Sequence, residues 1–442
     1  MARKQLTEEE KNQIRNSLIE TRLRRQNQVI KVFELKVNCH QTNKETFKKL
    51  KNYFIQAKWV YNDMLSLSKI NEDECTENIF DYNYLEHKIV HRFDKNKNSI
   101  EEQISLPVFL HRGIVAQTKT NIINLAKAKR KGIKVGKLKF KSEYNSIPII
   151  TGGIRLLDNS HITIPGFKKM KVYGMNQILE LKDYEIADGR LLWKPSGFYI
   201  KVTVCLNKKD KKDIQYTHKE VGLDFGIKDN ITTSDGKKFN CKVQESEYLK
   251  YLQKHLDKKK KYSKHYYKLI NQIRKEYEHL SNKKQDETNK IIHYFKKNYD
   301  VIYFQDEQLT KWKENSSLSK TIQHSYLGRV KAKLVSMNGT QSFMIDKWKP
   351  TTKYCPKCGK LNNISLNERT YNCECGYSMD RDIHAAKNVK MFGSTQRAEC
   401  LEQTSDTFLD KLKMSTKKKL SPFKGDGSSP QVSEEYKRYY LV

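Results

Sequence analysis

The stretch from residue 354 to residue 388 decides how this chain is interpreted. It reads Tyr354-Cys-Pro-Lys-Cys-Gly359, then a polar span, then Cys373-Glu-Cys-Gly-Tyr-Ser-Met-Asp380-Arg-Asp-Ile-His-Ala-Ala-Lys-Asn388. Two cysteine pairs on either side of a short polar hairpin can supply four thiolates in a tetrahedron, as a structural zinc ion requires. The alternative is four unliganded thiols in a turn-rich loop. The pattern predicts zinc, with the ligands Cys355, Cys358, Cys373 and Cys375.

Composition limits the classes of protein to which the chain can belong. Its 442 residues allow two to four domains, and 85 basic residues face 51 acidic ones, for a formal net charge of +34. Such an excess favours a polyanionic partner, most commonly nucleic acid. An anionic membrane is the alternative, but no long apolar run or lipidation signal supports it, so no membrane partner is expected. The expected location is the cytoplasm, since no secretory segment opens the chain.

Acidic residues interrupt or end two apolar segments after residue 214. Asp224 lies within the run Glu220–Lys228, where a carboxylate is costly unless it is paired or binds a metal ion. A second apolar run, from 300 to 309, ends in Asp306 and Glu307. Glu307 is the preferred ligand of this pair, because its longer side chain reaches further from a strand end.

A third acidic position lies at the start of the helix predicted after the cysteines. Asp382 is preferred over Asp380 because it directly precedes a helix whose Ala385 and Ala386 permit close packing on a sheet. Carboxylates on two strands and a helix start are the arrangement with which a ribonuclease H-like fold holds two magnesium ions for phosphodiester hydrolysis. Taken singly, each acid could be a strand end or a helix cap. The predicted magnesium ligands are Asp224, Glu307 and Asp382.

The first half of the chain alternates between helix and strand patterns. Residues 1–28 are basic and predict an arm or a solvated helix, and apolar residues at helical spacing between 44 and 133 predict two long helices. Short apolar runs from 153 to 206 predict an antiparallel sheet that closes into a small barrel with the strand near Phe33. A long helical insertion from 245 to 298 predicts a hairpin that lies on nucleic acid or is simply solvated.

The segment from 134 to 141 alternates between apolar and basic residues, which predicts a strand with one basic face. Like charges without acidic partners repel one another, so phosphate binding is preferred over a plain solvated face. The lysines of this face are Lys134, Lys137, Lys139 and Lys141.

Several of these segments resemble one family. The runs Val221–Lys228, Phe304–Trp312, Gln323–Arg329, Cys355–Cys358 and Asp380–Asn388 look like the RuvC nuclease and zinc-binding parts of TnpB proteins and of miniature type V subtype F CRISPR effectors. Trp59–Asp63 and Lys134–Lys141 are similar to the recognition and wedge domains of the same group. The resemblance implies a prokaryotic RNA-guided endonuclease that cleaves double-stranded target DNA beside a short flanking motif.

The resemblance implies a magnesium site, a zinc site and nucleic-acid contacts at particular residues. Magnesium would lie at the RuvC carboxylates Asp224, Glu307 and Asp382, structural zinc at the four cysteines, and a guide RNA would be bound throughout. Arg329, within a matching segment, would contact nucleic acid. Such a protein would be associated with the nucleoid when bound to DNA.

The resemblance also implies a multidomain α+β architecture. The expected domains are a basic arm at 1–28, a split β-barrel wedge domain at 29–43 and 134–213, an α-helical recognition domain at 44–133, a RuvC (ribonuclease H-like) nuclease domain at 214–350 and 376–395 with a helical insertion at 245–298, a zinc-binding element that contacts target nucleic acid at 351–375, and a partly disordered tail at 396–442.

Two other functions stay open on the sequence alone. A guide-dependent DNA-binding regulator would keep the RuvC fold without cleavage, although all three carboxylates are present. A ribonuclease H-like transposase or resolvase would act without RNA. A CRISPR effector would often act as a homodimer on one guide RNA, and a TnpB protein as a monomer.

Overall fold

A computed structural model describes residues 7–38, 44–67, 79–93, 98–207, 217–312, 322–337, 341–365 and 367–415. The chain forms two compact units, one within residues 1–212 and the other within residues 213–426. Each unit has its own sheet and its own hydrophobic core. No helix in the described ranges is both long enough and apolar enough to cross a membrane.

The first unit combines an antiparallel sheet with three long helices. Its helices are α1 (Glu8–Gln26), α2 (Lys44–Leu67), α3 (Val108–Arg130) and the one-turn α4 (Asn176–Leu179). Its strands are β1 (Gln28–Val37), β2 (Ile89–Phe93), β3 (Ser99–Gln103), β4 (Ser146–Ile149), β5 (Arg155–Leu156), β6 (His161–Ile164), β7 (Phe167–Tyr173), β8 (Tyr184–Lys194) and β9 (Gly197–Asn207).

The main sheet of this unit is open. Its order is β4-β8-β9-β1-β7-β6-β5, and β4 and β5 at its edges do not pair, so the predicted β-barrel is wrong for the described residues. Closure needs edge strands that can pair with each other. However, β5 has two residues, and Pro148 in β4 lacks the N–H that would extend the ladder. Helix α3 packs against β4 instead: a Cβ added to Gly113 would lie 2.6 Å from the Pro148 oxygen.

Helix α2 supplies aromatic side chains to the core of the first unit. Its apolar residues recur every three or four positions, so Tyr53, Phe54 and Tyr61 lie on one buried face. The Phe54 ring stacks on Phe198 of β9 at 5.7 Å and lies 5.6 Å from the Trp193 ring. Burial of one such side chain contributes about 1.5–3 kcal/mol, which holds α2 against the sheet.

The predicted basic strand at 134–141 is also wrong, because this segment is irregular and pairs with no strand. Side chains of α2 take the place of a neighbouring strand. Tyr61 donates to the Lys139 carbonyl at 3.2 Å, and Asn62 donates to the Lys141 carbonyl at 3.0 Å and accepts from its N–H at 2.9 Å. Helix α2 therefore satisfies backbone groups of Lys139 and Lys141 in the absence of a neighbouring strand.

The second unit is built on a mixed five-stranded sheet with the order β12-β11-β10-β13-β14. Its strands are β10 (Glu220–Phe225), β11 (Ile231–Thr233), β12 (Lys238–Phe239), β13 (Val301–Gln305) and β14 (Ser342–Ile345), with a separate hairpin of β15 (Thr370–Asn372) and β16 (Ser378–Asp380). Strands β10, β13 and β14 are parallel. Its helices are α5 (Glu247–Asp257), α6 (Lys264–Asn298), α7 (Leu309–Trp312), α8 (Leu327–Ser336) and α9 (Arg381–Ser415).

Helix α9 lies very close to the sheet. A Cβ added to Gly222 of β10 would lie 2.1 Å from the Ala386 carbonyl oxygen, and one added to Gly393 of the helix would lie 2.3 Å from the Tyr303 ring of β13. Ala385 and Ala386 are fully buried at this contact. Small residues therefore determine where α9 starts relative to the ends of β10 and β13.

Helices α5 and α6 form a hairpin with a small core of its own. Leu249 and Leu252 of α5 pack with Ile273 of α6 in a cluster separate from the core of the sheet. The C-terminal half of α6 packs on the sheet through Ile292 and Phe295. At 1.5 Å per residue, the 35 residues of α6 span about 50 Å.

Candidate active site and cysteine cluster

Three elements bring the predicted carboxylates to one edge of the second sheet. Asp224 lies near the end of β10, and Glu307 follows β13 by two residues. Because β10 and β13 are parallel, with Leu223 opposite Phe304, their carboxyl ends lie at the same edge. Asp382 is the second residue of α9, which packs across β10.

The pKa of Asp224 reflects its burial and the charges of the other two acids. Burial raises the pKa of Asp224 well above its ordinary value, and the charges of Asp382 and Glu307 raise it further. Arg381 opposes this increase without cancelling it. A carboxylate that is half-buried beside two others is a group that a cation would stabilise.

Asp380, the other acid at the start of α9, serves as a helix cap. Its carboxylate accepts from the N–H groups of Asp382 and Ile383 at 3.0 and 3.1 Å. Lys238 of β12 bonds the same carboxylate at 3.1 Å and reaches Asp229 at 3.4 Å. Burial opposes ionisation, but the Ile383 N–H and Lys238 outweigh it, so the pKa of Asp380 is lowered. Of the two aspartates at the start of α9, Asp382 is the one whose charge raises the pKa of Asp224.

The two acids after β13 also differ. Lys331 of α8 forms an ion pair with Asp306 at 2.8 Å and donates to the Glu307 carbonyl. The Glu307 carboxylate is half-buried, and burial raises its pKa although Lys331 opposes the increase. Of this pair, it is Glu307 that contributes to the raised pKa of Asp224.

Sequence reasoning missed three basic residues around the carboxylates. Arg381 could have been anticipated, because it stands between two aspartates and its Nε lies 3.7 Å from Asp382 Oδ1. No sequence pattern marks Lys331 of α8 or Lys238, which is 142 positions from its partner Asp380. Their positions follow from tertiary packing alone.

A shallow cleft of about 260 Å³ opens beside Glu307. Trp348 on its wall is 80% exposed, and the Lys347 ammonium lies 4.7 Å from the centre of the Trp348 ring. An exposed indole with cations nearby suits stacking on a base and contact with phosphate. The lining residues are Asp306, Glu307, Gln308, Lys311, Trp312, Lys347 and Trp348.

The four predicted cysteines converge, with all their sulfur atoms within 4.8 Å of one another. The Sγ atoms of Cys355 and Cys375 are 3.6 Å apart, and those of Cys358 and Cys373 are 3.5 Å apart. Sulfurs at about 2.3 Å from a central zinc ion would be roughly 3.8 Å apart, so the spacing fits tetrahedral coordination. Within the described ranges, no other group of three or more His, Cys, Asp or Glu side chains converges so closely, and this includes the three carboxylates at the sheet edge. The cluster can hold a metal ion such as zinc.

Two glycines allow the loops around the sulfurs to turn. Gly359 and Gly376 have φ values of 75° and 82°, in the left-handed region that favours glycine. Each donates its N–H to the carbonyl of the cysteine that opens its turn, at 2.9 Å. The N–H of Cys375 lowers the pKa of Cys373 to about 6, whereas burial and hydrogen bonds among the sulfurs raise the pKa of Cys358 and of Cys375. The one-residue Cys-Glu-Cys gap is therefore compatible with convergence.

A buried polar network connects the cysteine region to the strand and the helix that carry two of the carboxylates. The Gln305 amide, at the end of β13, donates to three carbonyls between 346 and 349 and accepts from the Thr351 hydroxyl at 3.0 Å. Asn388 of α9 donates to the carbonyls of Thr351 and Tyr354 at 2.7 and 2.8 Å. The loop that leads into the cysteines thus fixes β13 relative to α9.

The predicted nucleic-acid-binding residues fall into two groups. The four lysines of the 134–141 segment are exposed, and the Lys141 ammonium lies 4.2 Å from the Tyr61 ring centre. Arg329 instead donates to the carbonyl and the hydroxyl of Ser281 at 2.8 and 2.9 Å, which joins α8 to α6. These contacts give Arg329 a structural role. The exposed lysines are Lys134, Lys137, Lys139 and Lys141.

Comparison with known proteins identifies sequences that the chain resembles. Residues 329–389 match the family model described as the Cas12f1-like TNB domain. A protein of Streptomyces pristinaespiralis named "Putative RNA-guided DNA endonuclease" is 25% identical over 180 residues, which cover 39% of this chain and 45% of that protein. The TnpB-like protein L79 of Acanthamoeba polyphaga mimivirus is 32% identical over 146 residues, which cover 30% of this chain and 27% of that protein. The chain therefore spans less than half the length of these relatives.

A solved structure described as the cryo-EM structure of the Cas12f1–sgRNA–target DNA complex is 13% identical, with a TM-score of 0.45, and the match covers 82% of this chain and 99% of that one. The family match and the two named relatives agree with the motifs of the second unit. The resemblance inferred from the sequence is confirmed: over the matching segments, the chain is similar to TnpB-like proteins and to the Cas12f1-like TNB domain.

Proposed function

We propose that the chain is an RNA-guided DNA endonuclease whose second unit is a RuvC-type nuclease domain. The observation that carries this proposal is the placement of Asp224, Glu307 and Asp382 at one edge of the sheet, where burial and then the charges of Asp382 and Glu307 raise the pKa of Asp224. The name of the Streptomyces relative supports the RNA-guided part.

The residues of this site fit magnesium by their chemistry. All three donors are carboxylates, the hard oxygen ligands that Mg²⁺ prefers. Arg381 and Lys331 offset their repulsion only in part, so the site retains an affinity for divalent cations. When bound, two such cations would supply an activated water and stabilisation of the leaving 3′ oxygen of a phosphodiester.

The chain's own residues would hold the DNA strand and keep the carboxylates in position. Asp380, anchored by Lys238, fixes the first turn of α9 and leaves the Asp382 carboxylate to the site. In the cleft beside Glu307, Trp348 would stack on a base while Lys347 contacts the backbone. These groups would position a nucleotide next to the carboxylates.

We assign zinc to the cysteine cluster as a structural ion. Four sulfur ligands complete a tetrahedron and leave no position open for a substrate, as is usual for structural sites. Through Thr351 and Asn388, an ordered cluster would keep β13 and α9 in register and so maintain the carboxylate site.

The guide RNA and the DNA would bind through the excess of basic residues. Base pairing with the guide would read the target, while the protein reads the backbone and a short flanking motif. The exposed lysines of the 134–141 segment support backbone binding in the first unit. The predicted wedge and recognition domains belong to the same proposal, as does a homodimer on one guide RNA.

The test uses the full-length protein purified with the RNA that it binds after expression from its native locus. The RNA is sequenced, and the complex is mixed with a plasmid library that carries the target beside randomised flanks. We expect one structured transcript and cleavage that requires both magnesium and a particular flank. Asp224→Ala should bind RNA and target normally without cleaving, whereas Asp286→Ala, on the exposed face of α6, should cleave normally.

Three results would contradict this proposal. Cleavage by Asp224→Ala at the wild-type rate would put the metal site elsewhere. Cleavage without any bound RNA would favour a ribonuclease H-like transposase or resolvase. Guide-dependent binding without cleavage by the unaltered protein would favour a regulator.

A further inference from the structure

The α5–α6 hairpin carries a surface that the proposed catalytic site does not use. Tyr248, Tyr251 and His255 recur at three- and four-residue spacing along one stripe of α5. Four consecutive lysines, Lys258–Lys261, follow between the two helices, and then Tyr262. We call these residues together the tyrosine-lysine surface.

Packing of the hairpin does not explain the exposed rings. The inner face of α5 is formed by Leu249 and Leu252, which are buried against α6. Tyr248 and Tyr251 lie on the outer face, 49% and 55% exposed, with rings within 15° of parallel and centroids 6.4 Å apart. The Tyr251 ring also meets the His255 ring edge-on, with centroids 4.2 Å apart. The two tyrosine rings are therefore nearly parallel and partly exposed, and bases can stack on such rings.

Tyr262 is the least expected residue of this surface. Its φ of 66° lies in the left-handed region, where a bulky side chain is strained and glycine is preferred. The side chain is 78% exposed, so burial does not compensate for the strain. The ring meets Tyr266 with centroids 6.3 Å apart, but most of its surface stays in solvent. A mostly exposed ring on a strained backbone adds little to the packing of the hairpin and is available to a partner.

The charge of the surface indicates what kind of partner it fits. Lys258–Lys261 are all exposed, and Asp257 is the single acidic residue between 254 and 268. Within the described part of the chain, no carboxylate lies within ion-pair distance of these four lysines. Repulsion among them would be relieved by a polyanion. Cations beside exposed aromatic rings are the combination that binds unpaired nucleic acid.

We propose that the tyrosine-lysine surface binds an unpaired loop of the guide RNA, an inference that rests on the proposed function for the presence of that RNA. Stacking requires free base faces, which a duplex does not offer. The displaced DNA strand is unpaired only while a target is engaged, whereas folded RNA presents unpaired loops permanently. The lysines would contact the phosphates of the same loop.

The test is a fluorescence anisotropy titration of the full-length protein, freed of nucleic acid, with an RNA stem–loop that has eight unpaired uridines. The test variant combines Tyr248→Leu, Tyr251→Leu and Tyr262→Gly. Its matched control is Tyr277→Leu, because Tyr277 is exposed on the same hairpin but its hydroxyl accepts from Gln253. We expect the test variant to bind the stem–loop about tenfold more weakly or worse, and the control to stay within twofold.

Two further measurements separate stacking from charge and from misfolding. Tyr262→Gly alone should not lower the melting temperature, since glycine relieves the strained backbone. The triple variant should keep the wild-type slope of log affinity against log salt. By contrast, replacing Lys258–Lys261 with glutamine should flatten the slope by about 0.7 for each phosphate that is no longer bound.

Several outcomes would overturn the inference. Unchanged stem–loop affinity of the triple variant, or an equal loss for a fully paired RNA duplex, would exclude base stacking. Weaker binding of a linear single-stranded DNA by the triple variant, with unchanged affinity for the RNA stem–loop, would assign the surface to the displaced DNA strand instead. Failure of the proposed function is distinguishable, because it would appear as absent cleavage with these affinities unaltered.

Discussion

Gly222 lies where β10 passes beneath α9. An added Cβ would approach the Ala386 oxygen to 2.1 Å and the Lys390 nitrogen to 2.6 Å, both of them backbone atoms that cannot rotate away. We therefore expect Gly222→Ala to lower the free energy of unfolding by about 1–3 kcal/mol, as overpacking does. Because α9 carries Asp382, the shifted helix should also weaken Mn²⁺ binding, measured by calorimetry.

Gly328, in the first turn of α8, provides the control for this prediction. A Cβ added there has nothing within 4 Å. Gly328→Ala should be neutral or should stabilise the chain by about 0.4–1 kcal/mol through the reduced entropy of the unfolded state. If both variants unfold alike in urea, the close contact of Gly222 is not what positions α9.

The raised pKa of Asp224 predicts how stability depends on pH. The folded chain retains a proton that the unfolded chain releases above the ordinary value of 3.8, so this group destabilises the fold increasingly as pH rises from there. In magnesium-free buffer, Asp224→Asn should increase the free energy of unfolding at pH 7, with the gain disappearing towards pH 4. Magnesium at ten times its Kd should stabilise the wild type by about 1.4 kcal/mol and the variant much less.

Asp235, an aspartate of the same unit, is expected to affect the pH dependence of stability in the opposite direction. Burial raises its pKa, but bonds from the hydroxyls of Thr233 and Tyr299 outweigh burial, and the net pKa is lowered. Asp235→Asn should therefore lose stability at pH 7, and the difference from the wild type should shrink as pH falls. Matching pH profiles for Asp224→Asn and Asp235→Asn would contradict the assignment of Asp224 to a repulsive site.

Among the elements, β12 holds the start of α9 through one side chain. Lys238 joins Asp380 at 3.1 Å to Asp229 at 3.4 Å. Because Lys238 is about one-third exposed, Lys238→Met should cost only about 1 kcal/mol or less in denaturant unfolding. Cleavage should fall further than stability, since the first turn of α9 carries Asp382.

Lys290 of α6 provides a control for Lys238→Met, which tests whether the position of the lysine or only its charge affects cleavage. Lys290 bonds Asp286 and Glu287 on an exposed helix face, away from the carboxylates. Lys290→Met removes the same charge and should leave cleavage unchanged. Equal loss of cleavage in Lys238→Met and Lys290→Met would mean that lowered RNA or DNA affinity, and not a displaced start of α9, is the cause.

Loss of the metal from the cysteine cluster should also disturb the carboxylate site. Cys358 is exposed, so Cys358→Ser removes a ligand without leaving a cavity. We expect less zinc per chain, a lower melting temperature and weaker stabilisation by magnesium, because a structural metal contributes directly to folding. Cys205→Ser, buried in the first unit, should lower stability without changing zinc content. Unchanged zinc in Cys358→Ser would refute the ligand assignment.

Local patterns predicted which residues of the second unit lie near one another better than they predicted the architecture of the first. The cysteine spacing and the acids at strand ends indicate their role within a few residues of sequence. Alternation between 134 and 141 does not reveal whether the partner is a strand or a helix, and here Asn62 of α2 takes the backbone bonds. Pro148 was a visible sign that β4 is an edge, so an open sheet could have been expected.

Over the whole molecule, long-range packing decides which charged residues are available to a partner. Lys331 and Arg329 lie two positions apart on α8, yet one bonds Asp306 beside the carboxylates and the other bonds Ser281 of α6. The sequence alone could not separate these roles, because both partners come from elements outside α8. A net charge of +34 therefore overstates the number of side chains that can reach phosphates.

The salt dependence of RNA binding measures that number. If the chain contacts six to ten phosphates of the RNA, affinity should fall roughly 3 × 10²- to 2 × 10⁴-fold between 50 and 200 mM salt, as released counterions lose their entropic advantage. Replacing the four exposed lysines of the 134–141 segment with glutamine should flatten the log–log slope by up to about 0.7 for each phosphate that these side chains no longer bind. Arg329→Gln should instead lower the melting temperature and leave the slope unchanged, because its guanidinium is engaged by Ser281. A flattened slope in Arg329→Gln would mean that Arg329 leaves Ser281 to contact phosphate in the complex.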